Sequence, residues 1–269
     1  MIVKIIVFLF GSIVGSFLNV CIHRMPQGES VVWPRSHCPR CKKRIPGYDN
    51  IPFLSYILLK GRCRFCKEKI SLRYPLVELI TGLLFVALYS RWGLTYNFFF
   101  YMVLVWGLII ATFVDIKHRI IPDEVSIGGL IIGFILSSVR GISLIPLHFS
   151  FKPLVDSLLG ILVGGGIIYL SGFLFDLVYF KLLKKPPIQG ETESMGGGDV
   201  KLLAMIGAFL GWQKAVLTFF VAPFLGVAIG IYALLAKRDH TIPYGPFLAI
   251  AALLSMFWAD TIIRILIFR

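Results

Sequence analysis

Apolar runs of about 20 residues, each long enough to cross the hydrocarbon of a bilayer, recur along the chain from one end to the other. A soluble domain does not carry so little charge over such a length: 57% of the 269 residues are hydrophobic and 15% are charged. The expected fold is an all-α polytopic membrane protein of about eight transmembrane helices, at 5–22, 76–94, 97–115, 124–139, 153–180, 202–213, 214–236 and 246–267. The first run has the length of a signal segment, but further runs follow it throughout, so it is read as the first span. The sixth is short and glycine-rich, and it abuts the seventh through a tight turn at Gly211-Trp212-Gln213-Lys214.

Charge sets the orientation. The formal net charge is +13, and much of it lies in one loop, 23–75, with Arg24, Arg35, Arg40, Lys42, Lys43, Arg44, Lys60, Arg62, Arg64, Lys67, Lys69 and Arg73. Cytoplasmic loops carry such an excess. Eight spans with this loop inside also place 116–123, 181–201 and 237–245 inside, with Lys117, Arg119, Lys181, Lys184, Lys185, Lys201, Lys237 and Arg238. Scattered single charges remain outside: Lys4, Arg91, Arg140, Lys152, Lys214, Arg264 and Arg269. The basic total also admits nucleic acid, but no basic fold interleaved with aromatics is visible, so membrane lipids are the expected partners and nucleic acid is not. Segment 140–152 reads as an outer, interfacial loop, and 183–198 as a polar one.

Two aspartates then fall on the same, cytoplasmic face. Asp115 ends the third span, and Asp199 follows Gly196-Gly197-Gly198 ahead of the sixth. An acid at a membrane boundary is a functional candidate. Two carboxyl groups about 3 Å apart share one proton, so one can take a proton from water while the other polarises a scissile carbonyl. Gly196 and Gly198 would give Asp199 room and admit a substrate strand, and Lys201 would anchor the helix at the headgroups or tune the pair. The plainer alternatives are that Asp199 caps the sixth helix, that Asp115 closes an ordinary turn, and that Asp123 caps the fourth helix.

Cys38, Cys41, Cys63 and Cys66 form two C-x-x-C pairs separated by 21 residues, against about 15–20 in common zinc ribbons. In a cytoplasmic loop a metal is a better reading than disulfides. The matching stretches Cys-Pro-Arg-Cys-Lys-Lys-Arg-Ile and Cys-Arg-Phe-Cys-Lys-Glu-Lys-Ile read as two knuckles around a structural zinc, Zn2+, with no open position for catalysis.

Several motifs in order resemble one family. Asp115-Ile116-Lys117-His118-Arg119-Ile120-Ile121-Pro122-Asp123 and Gly196-Gly197-Gly198-Asp199-Val200-Lys201 resemble the signature pair of the type IV prepilin peptidases, Gly-x-Gly-Asp aspartic proteases of membranes. Further stretches resemble that family's pattern: Gly15-Ser16-Phe17-Leu18-Asn19-Val20, His23-Arg24-Met25-Pro26, Asn50-Ile51-Pro52, Gly61-Arg62-Cys63-Arg64-Phe65-Cys66, Ser71-Leu72-Arg73-Tyr74-Pro75-Leu76-Val77-Glu78-Leu79, and Ile242-Pro243-Tyr244-Gly245-Pro246-Phe247. Loop 183–194 and segment 140–152 match none of its motifs.

The resemblance implies that Asp115 and Asp199 are catalytic and that Asp123 is not. It implies cleavage of the short basic leader of prepilins and pseudopilins, after a glycine, on the cytoplasmic side of the bacterial inner membrane. It also implies N-methylation of the new amino terminus with S-adenosylmethionine. For that second reaction it points to the amino-terminal third, where Asn19, Arg24 and Glu78 are polar groups at membrane edges; Arg24 would hold the cofactor carboxylate and Glu78 the substrate amine. The plainer alternatives are that Arg24 anchors at headgroups and Asn19 bonds across a helix pair. The leader is basic like the 23–75 loop, so anionic lipid or acidic groups such as Glu78 suit it better. The expected division is an amino-terminal methyltransferase-associated region, 1–94, and a peptidase domain, 95–269.

Two other classes compete. A transporter or proton relay would show repeated halves and acids near the midplane, and neither is seen. A zinc-bearing assembly factor would need no acid pair. The sequence carries no signal for oligomeric state.

Overall fold

The computed structural model describes residues 1–144, 147–183, 196–235 and 243–267. Residues 184–195 of the expected polar loop 183–198, and the cations Lys184, Lys185, Lys237, Arg238 and Arg269, lie outside the described residues. The regular structure of the described residues is helical apart from one short ladder. Among the described residues, six helical segments are long and apolar enough to cross a membrane: Ile2–Gln27, Arg73–Trp92, Tyr96–His118, Lys152–Leu182, Trp212–Ile231 and Gly245–Ile262. The two other expected spans are also helices. Asp123–Arg140 carries Asp123, Glu124 and Arg140 within 18 residues, and Gly197–Leu210 has only 14 residues. The described residues form two compact units, Met1–Ile110 and Ala111–Arg269.

In the first unit, α1 (Ile2–Arg24) packs against α3 (Arg73–Trp92), and small residues make the approach close. A Cβ on Gly11 would come 2.9 Å from the Gly82 Cα, and one on Gly15 would come 2.8 Å from the Glu78 Cα. Without a hydrophobic drive between helices in lipid, such backbone approach is what holds a pair together. Phe85 of α3 meets Phe98 edge-on, with ring centres 6.1 Å apart, at the start of α4 (Tyr96–His118). Leu18, Ile22, Val77, Phe85, Leu88 and Leu104 are fully enclosed. Ile5, Ile6, Leu9, Phe10, Ile13 and Phe17 of α1 face outward, as a lipid-facing stripe does. Between α1 and α3 run the cysteine loop and a short helix, α2 (Leu54–Leu58).

The second unit begins within α4 and continues with α5 (Asp123–Arg140), α6 (Lys152–Asp176), α7 (Gly197–Leu210), α8 (Trp212–Leu235) and α9 (Gly245–Ile267). Its centre is α7, which packs against α5, α6, α8 and α9, and every residue from Leu202 to Leu210 is buried. Gly160 of α6 and Gly207 of α7 touch backbone to backbone, so a Cβ on either would strike the other's carbonyl. Ser137 of α5 and Ser157 of α6 both donate to the Ala208 carbonyl, at 3.1 and 2.8 Å. The turn between α7 and α8 is tighter than the four residues expected. Gly211 alone makes it, at φ +79°, and α8 starts at the next residue.

The outer segment 140–152 was expected as an irregular loop. It contains the ladder: β1 (Ile142–Leu144) runs antiparallel to β2 (Leu147–Phe149), pairing Ile142 with Phe149 and Leu144 with Leu147.

Candidate active site and metal centre

Asp115 lies in the last turn of α4 and is 7% exposed. The chain leaves the helix sharply after it: Arg119 adopts φ +55° and donates its N–H to the Asp115 carbonyl at 2.9 Å. The Asp115 carboxylate is held from another element. Its Oδ2 accepts the backbone N–H of Gly245, the first residue of α9, at 2.8 Å. The approach requires glycine, because a Cβ at 245 would lie 2.7 Å from the same oxygen.

Asp199 sits in the first turn of α7. The helix cap is Gly196, which Asp199 meets only through its backbone N–H, at 3.0 Å, so capping does not account for the Asp199 carboxyl. Asp115 acts electrostatically on Asp199. Asp199 in turn acts on Tyr244: burial first, and then this negative charge, push the Tyr244 phenol up to about 12. The elements bearing the two acids therefore converge around Tyr244-Gly245.

The glycine run divides as the Gly-x-Gly-Asp pattern does. A Cβ on Gly196 would stand 3.4 Å from the Asp199 Oδ2, and one on Gly198 would stand 3.2 Å from the Ile121 Cβ. A Cβ on Gly197 would meet nothing within 4 Å. Lys201 does not point its ammonium at the acids; its Nζ donates to Asp123 Oδ1 at 2.7 Å. Asp123, the first residue of α5, makes no capping bond there. The ion pair and the Gly198–Ile121 contact tie the segment after Asp115 to the helix that bears Asp199.

The four cysteines converge. Their sulfur atoms all lie within 4.8 Å of one another, and Cys38 Sγ is 3.8 Å from Cys66 Sγ. A disulfide would need about 2.05 Å. A tetrahedron of sulfurs about 2.3 Å from a central zinc has edges of about 3.8 Å, so the donor set fits a closed metal site. The two knuckles are built alike. The N–H of Lys42 bonds the Cys38 carbonyl at 2.9 Å, and that of Lys67 bonds the Cys63 carbonyl at 3.0 Å. Both lysines sit at φ +58°. Cys38 N–H returns to Lys43, and Cys63 N–H to Glu68. Bridges His37–Arg44 and Arg62–Lys69 close the two turns. The backbone N–H of Cys66, aided by that of Phe65, pulls the Cys63 thiol down to about 7. Arg40 pairs with Glu68 across the knuckles, and Arg64 grips Asp49 with two bonds of 2.6 Å.

Among the polar groups of α1 and α3, Asn19 donates Nδ2 to the Tyr74 carbonyl at 3.1 Å, while its buried Oδ1 has no partner among the described residues. Glu78, one turn beyond Tyr74, accepts the Phe53 N–H at 3.1 Å. Arg24 is turned elsewhere. Its guanidinium donates to the carbonyls of Ser30 and Pro34, at 2.9 and 2.7 Å.

Sequence reasoning gave no role to Gly245, Tyr244 or Ile121. The stretch 242–247 stood out as a motif, but nothing in it shows that a glycine N–H reaches an acid 130 positions away.

These features define a class: a polytopic helical membrane protein with two acids at the ends of separate helices and a thiolate cluster in a loop. The model described as the bacterial peptidase A24 N-terminal domain matches residues 9–92, and that of the type IV leader peptidase family matches residues 102–231. The prepilin leader peptidase/N-methyltransferase of Aeromonas salmonicida strain A449 is 35% identical over 291 residues, covering 96% of this chain and 92% of that protein. Proteins of the same name in Pseudomonas aeruginosa (35% identity, 95% of this chain, 90% of the relative) and Myxococcus xanthus (40%, 86% and 63%) are similar too. No solved structure gives a significant match. The chain belongs to the type IV leader peptidase family and is a membrane aspartic peptidase.

Proposed function

We propose that this protein cleaves the basic leader of prepilins and pseudopilins at the cytoplasmic face of the inner membrane and then N-methylates the new amino terminus. The observation that carries the peptidase reading is the convergence of Asp115 and Asp199 around Tyr244-Gly245, with the charge of one acting on the other.

Two such carboxyls hold one proton between them. The ionised member removes a proton from water as the oxygen attacks the scissile carbonyl. The protonated member donates its hydrogen bond to the carbonyl oxygen and transfers its proton as that oxygen gains charge. The Gly245 N–H, aimed at Asp115 Oδ2, favours keeping the charge on that oxygen, which assigns Asp115 as base and Asp199 as acid. Collapse of the tetrahedral species releases the mature amino terminus, with the proton that Asp115 received going to the leaving nitrogen. Gly196 keeps the Asp199 flank bare so that an extended substrate strand can lie along it. Lys201 positions α7 through Asp123.

S-adenosylmethionine supplies the methyl group in the second reaction. The unpartnered Asn19 Oδ1 and the Glu78 carboxyl suit the donor and the substrate amine, and the partners of Arg24 support a structural duty for it. Cys38, Cys41, Cys63 and Cys66 would hold a structural zinc, which would brace the loop between α1 and α3 and offer no open position for either step.

The test is incubation of the reconstituted protein with a synthetic prepilin, with and without S-adenosylmethionine, read by mass spectrometry. Cleavage without the donor and a further methyl group with it are expected. Asp115→Asn and Asp199→Asn, each alone, should abolish cleavage in protein that still inserts; full cleavage by either would remove the pair.

A further inference from the structure

The segment following α1 has features that neither reaction uses. A cleft of about 600 Å³ opens there, lined by Trp33, Pro34, Arg35, His37, Lys42 and Arg44. The segment is built, not slack. Ser30 Oγ accepts the N–H groups of Val32 and Trp33, at 3.3 and 3.2 Å, and Arg24, the last residue of α1, clamps the carbonyls of Ser30 and Pro34. Arg24 thereby fixes the 30–34 turn against the end of the first span. The turn presents Val32 and Trp33 outward, 79% and 70% exposed, although neither belongs to a span.

The charges point the same way. Of the loop's carboxylates, Asp49 and Glu68 are taken by Arg64 and Arg40, and the exposed Glu29 is set against the cations that remain. Among the described residues, Arg35, Lys42 and Arg44 are in no salt bridge. An exposed tryptophan beside uncompensated cations, tethered to the end of a membrane helix, has the chemistry of an interfacial anchor: the ring settles at headgroup level and the cations meet lipid phosphate.

We propose that the Trp33–Arg44 cleft binds the headgroup of an anionic phospholipid of the adjoining leaflet, with Trp33 and Val32 seated in the interface and Arg35, Lys42 and Arg44 on the phosphate. The proposal is independent of the peptidase reading. It would dock the cysteine loop on the membrane, close to the end of α1.

The test uses the full chain in nanodiscs containing phosphatidylcholine and phosphatidylglycerol, with bromine placed on the acyl chains of one lipid or of the other. The Trp33 contribution to fluorescence is the difference between wild type and Trp33→Phe. Brominated phosphatidylglycerol should quench it several-fold more than brominated phosphatidylcholine at equal content. Each cation near an anionic surface is worth about fivefold in occupancy, so replacing Arg35, Lys42 and Arg44 together by Gln should erase the preference. Arg35→Gln alone, outside the knuckles, should already remove most of it and guards against a folding defect in the triple variant. Equal quenching by the two lipids would overturn the proposal, as would no quenching of Trp33. Loss of the preference on adding inorganic phosphate to the level of cellular buffers would do so too, since that would mark a free-phosphate site.

Discussion

Replacing Gly245 by Ala isolates the contact that holds Asp115. The residue opens α9 with no positive φ, so the backbone accepts alanine, and alanine favours the helix by up to about 1 kcal/mol. The added Cβ falls 2.7 Å from Asp115 Oδ2 and 3.3 Å from its Cγ, inside the range that real Cβ atoms avoid. The carboxylate must swing away and give up the 2.8 Å bond from the Gly245 N–H. A hydrogen bond to a charged group contributes about 1.5–3 kcal/mol, and each 1.36 kcal/mol on the barrier is tenfold in rate. Cleavage should therefore fall about 10- to 150-fold in kcat, with the melting temperature somewhat lowered, because the lost bond outweighs the helix gain. Gly226→Ala is the control, because its Cβ would make only ordinary contact, 3.6 Å from the Phe247 ring. The assay is prepilin cleavage by reconstituted protein under saturating substrate. A Gly245→Ala enzyme within about twofold of wild type would show that the N–H contact does not set the position of Asp115 in the reacting enzyme.

Other outcomes follow from neighbouring contacts. Gly198→Ala should slow cleavage about tenfold by displacing Ile121, and Gly197→Ala should leave it intact; equal losses would mean that the run acts through flexibility and not through room. Lys201→Asp and Asp123→Lys should each depress kcat while changing stability by about 0.5 kcal/mol or less, as an exposed pair does, and the double exchange should recover much of the rate. The purified protein should carry about one zinc, and iodoacetamide should label the four knuckle thiols only after the metal is removed. Absence of metal with all four thiols reacting alike would reject the site. Glu78→Gln should reduce methylation more than cleavage in the mass-spectrometric assay; equal loss would assign Glu78 to the fold.

Much of the fold could be read from hydropathy because length and polarity are local properties. The eight helical stretches stand close to where the apolar runs put them. Asp123–Arg140 and Gly197–Leu210 differ from the other six in end charge and in length, and Leu202–Leu210 is enclosed by protein, which periodicity does not mark. The four-cysteine cluster was legible because C-x-x-C spacing encodes a knuckle within one short segment. The setting of the acids was only half legible. Asp115 and Asp199 announce themselves as charges at apolar boundaries, but the Gly245 N–H, the Ile121 side chain under Gly198 and the Asp123 partner of Lys201 are products of tertiary packing. The ladder at 142–149 had no turn signature strong enough to mark it in so short a stretch.

The way α7 is mounted also bears on how a substrate is accommodated. With Gly207 pressed on Gly160 and the Ala208 carbonyl pinned by serines from two sides, the helix is a fixed post, set in its surroundings from Leu202 to Leu210. A post of that kind cannot yield laterally to an incoming polypeptide. Adaptation falls to the polypeptide, which must unwind locally to reach the acid at the tip, and a stretch that resists unwinding would be spared from cutting however well its flanking charges fit.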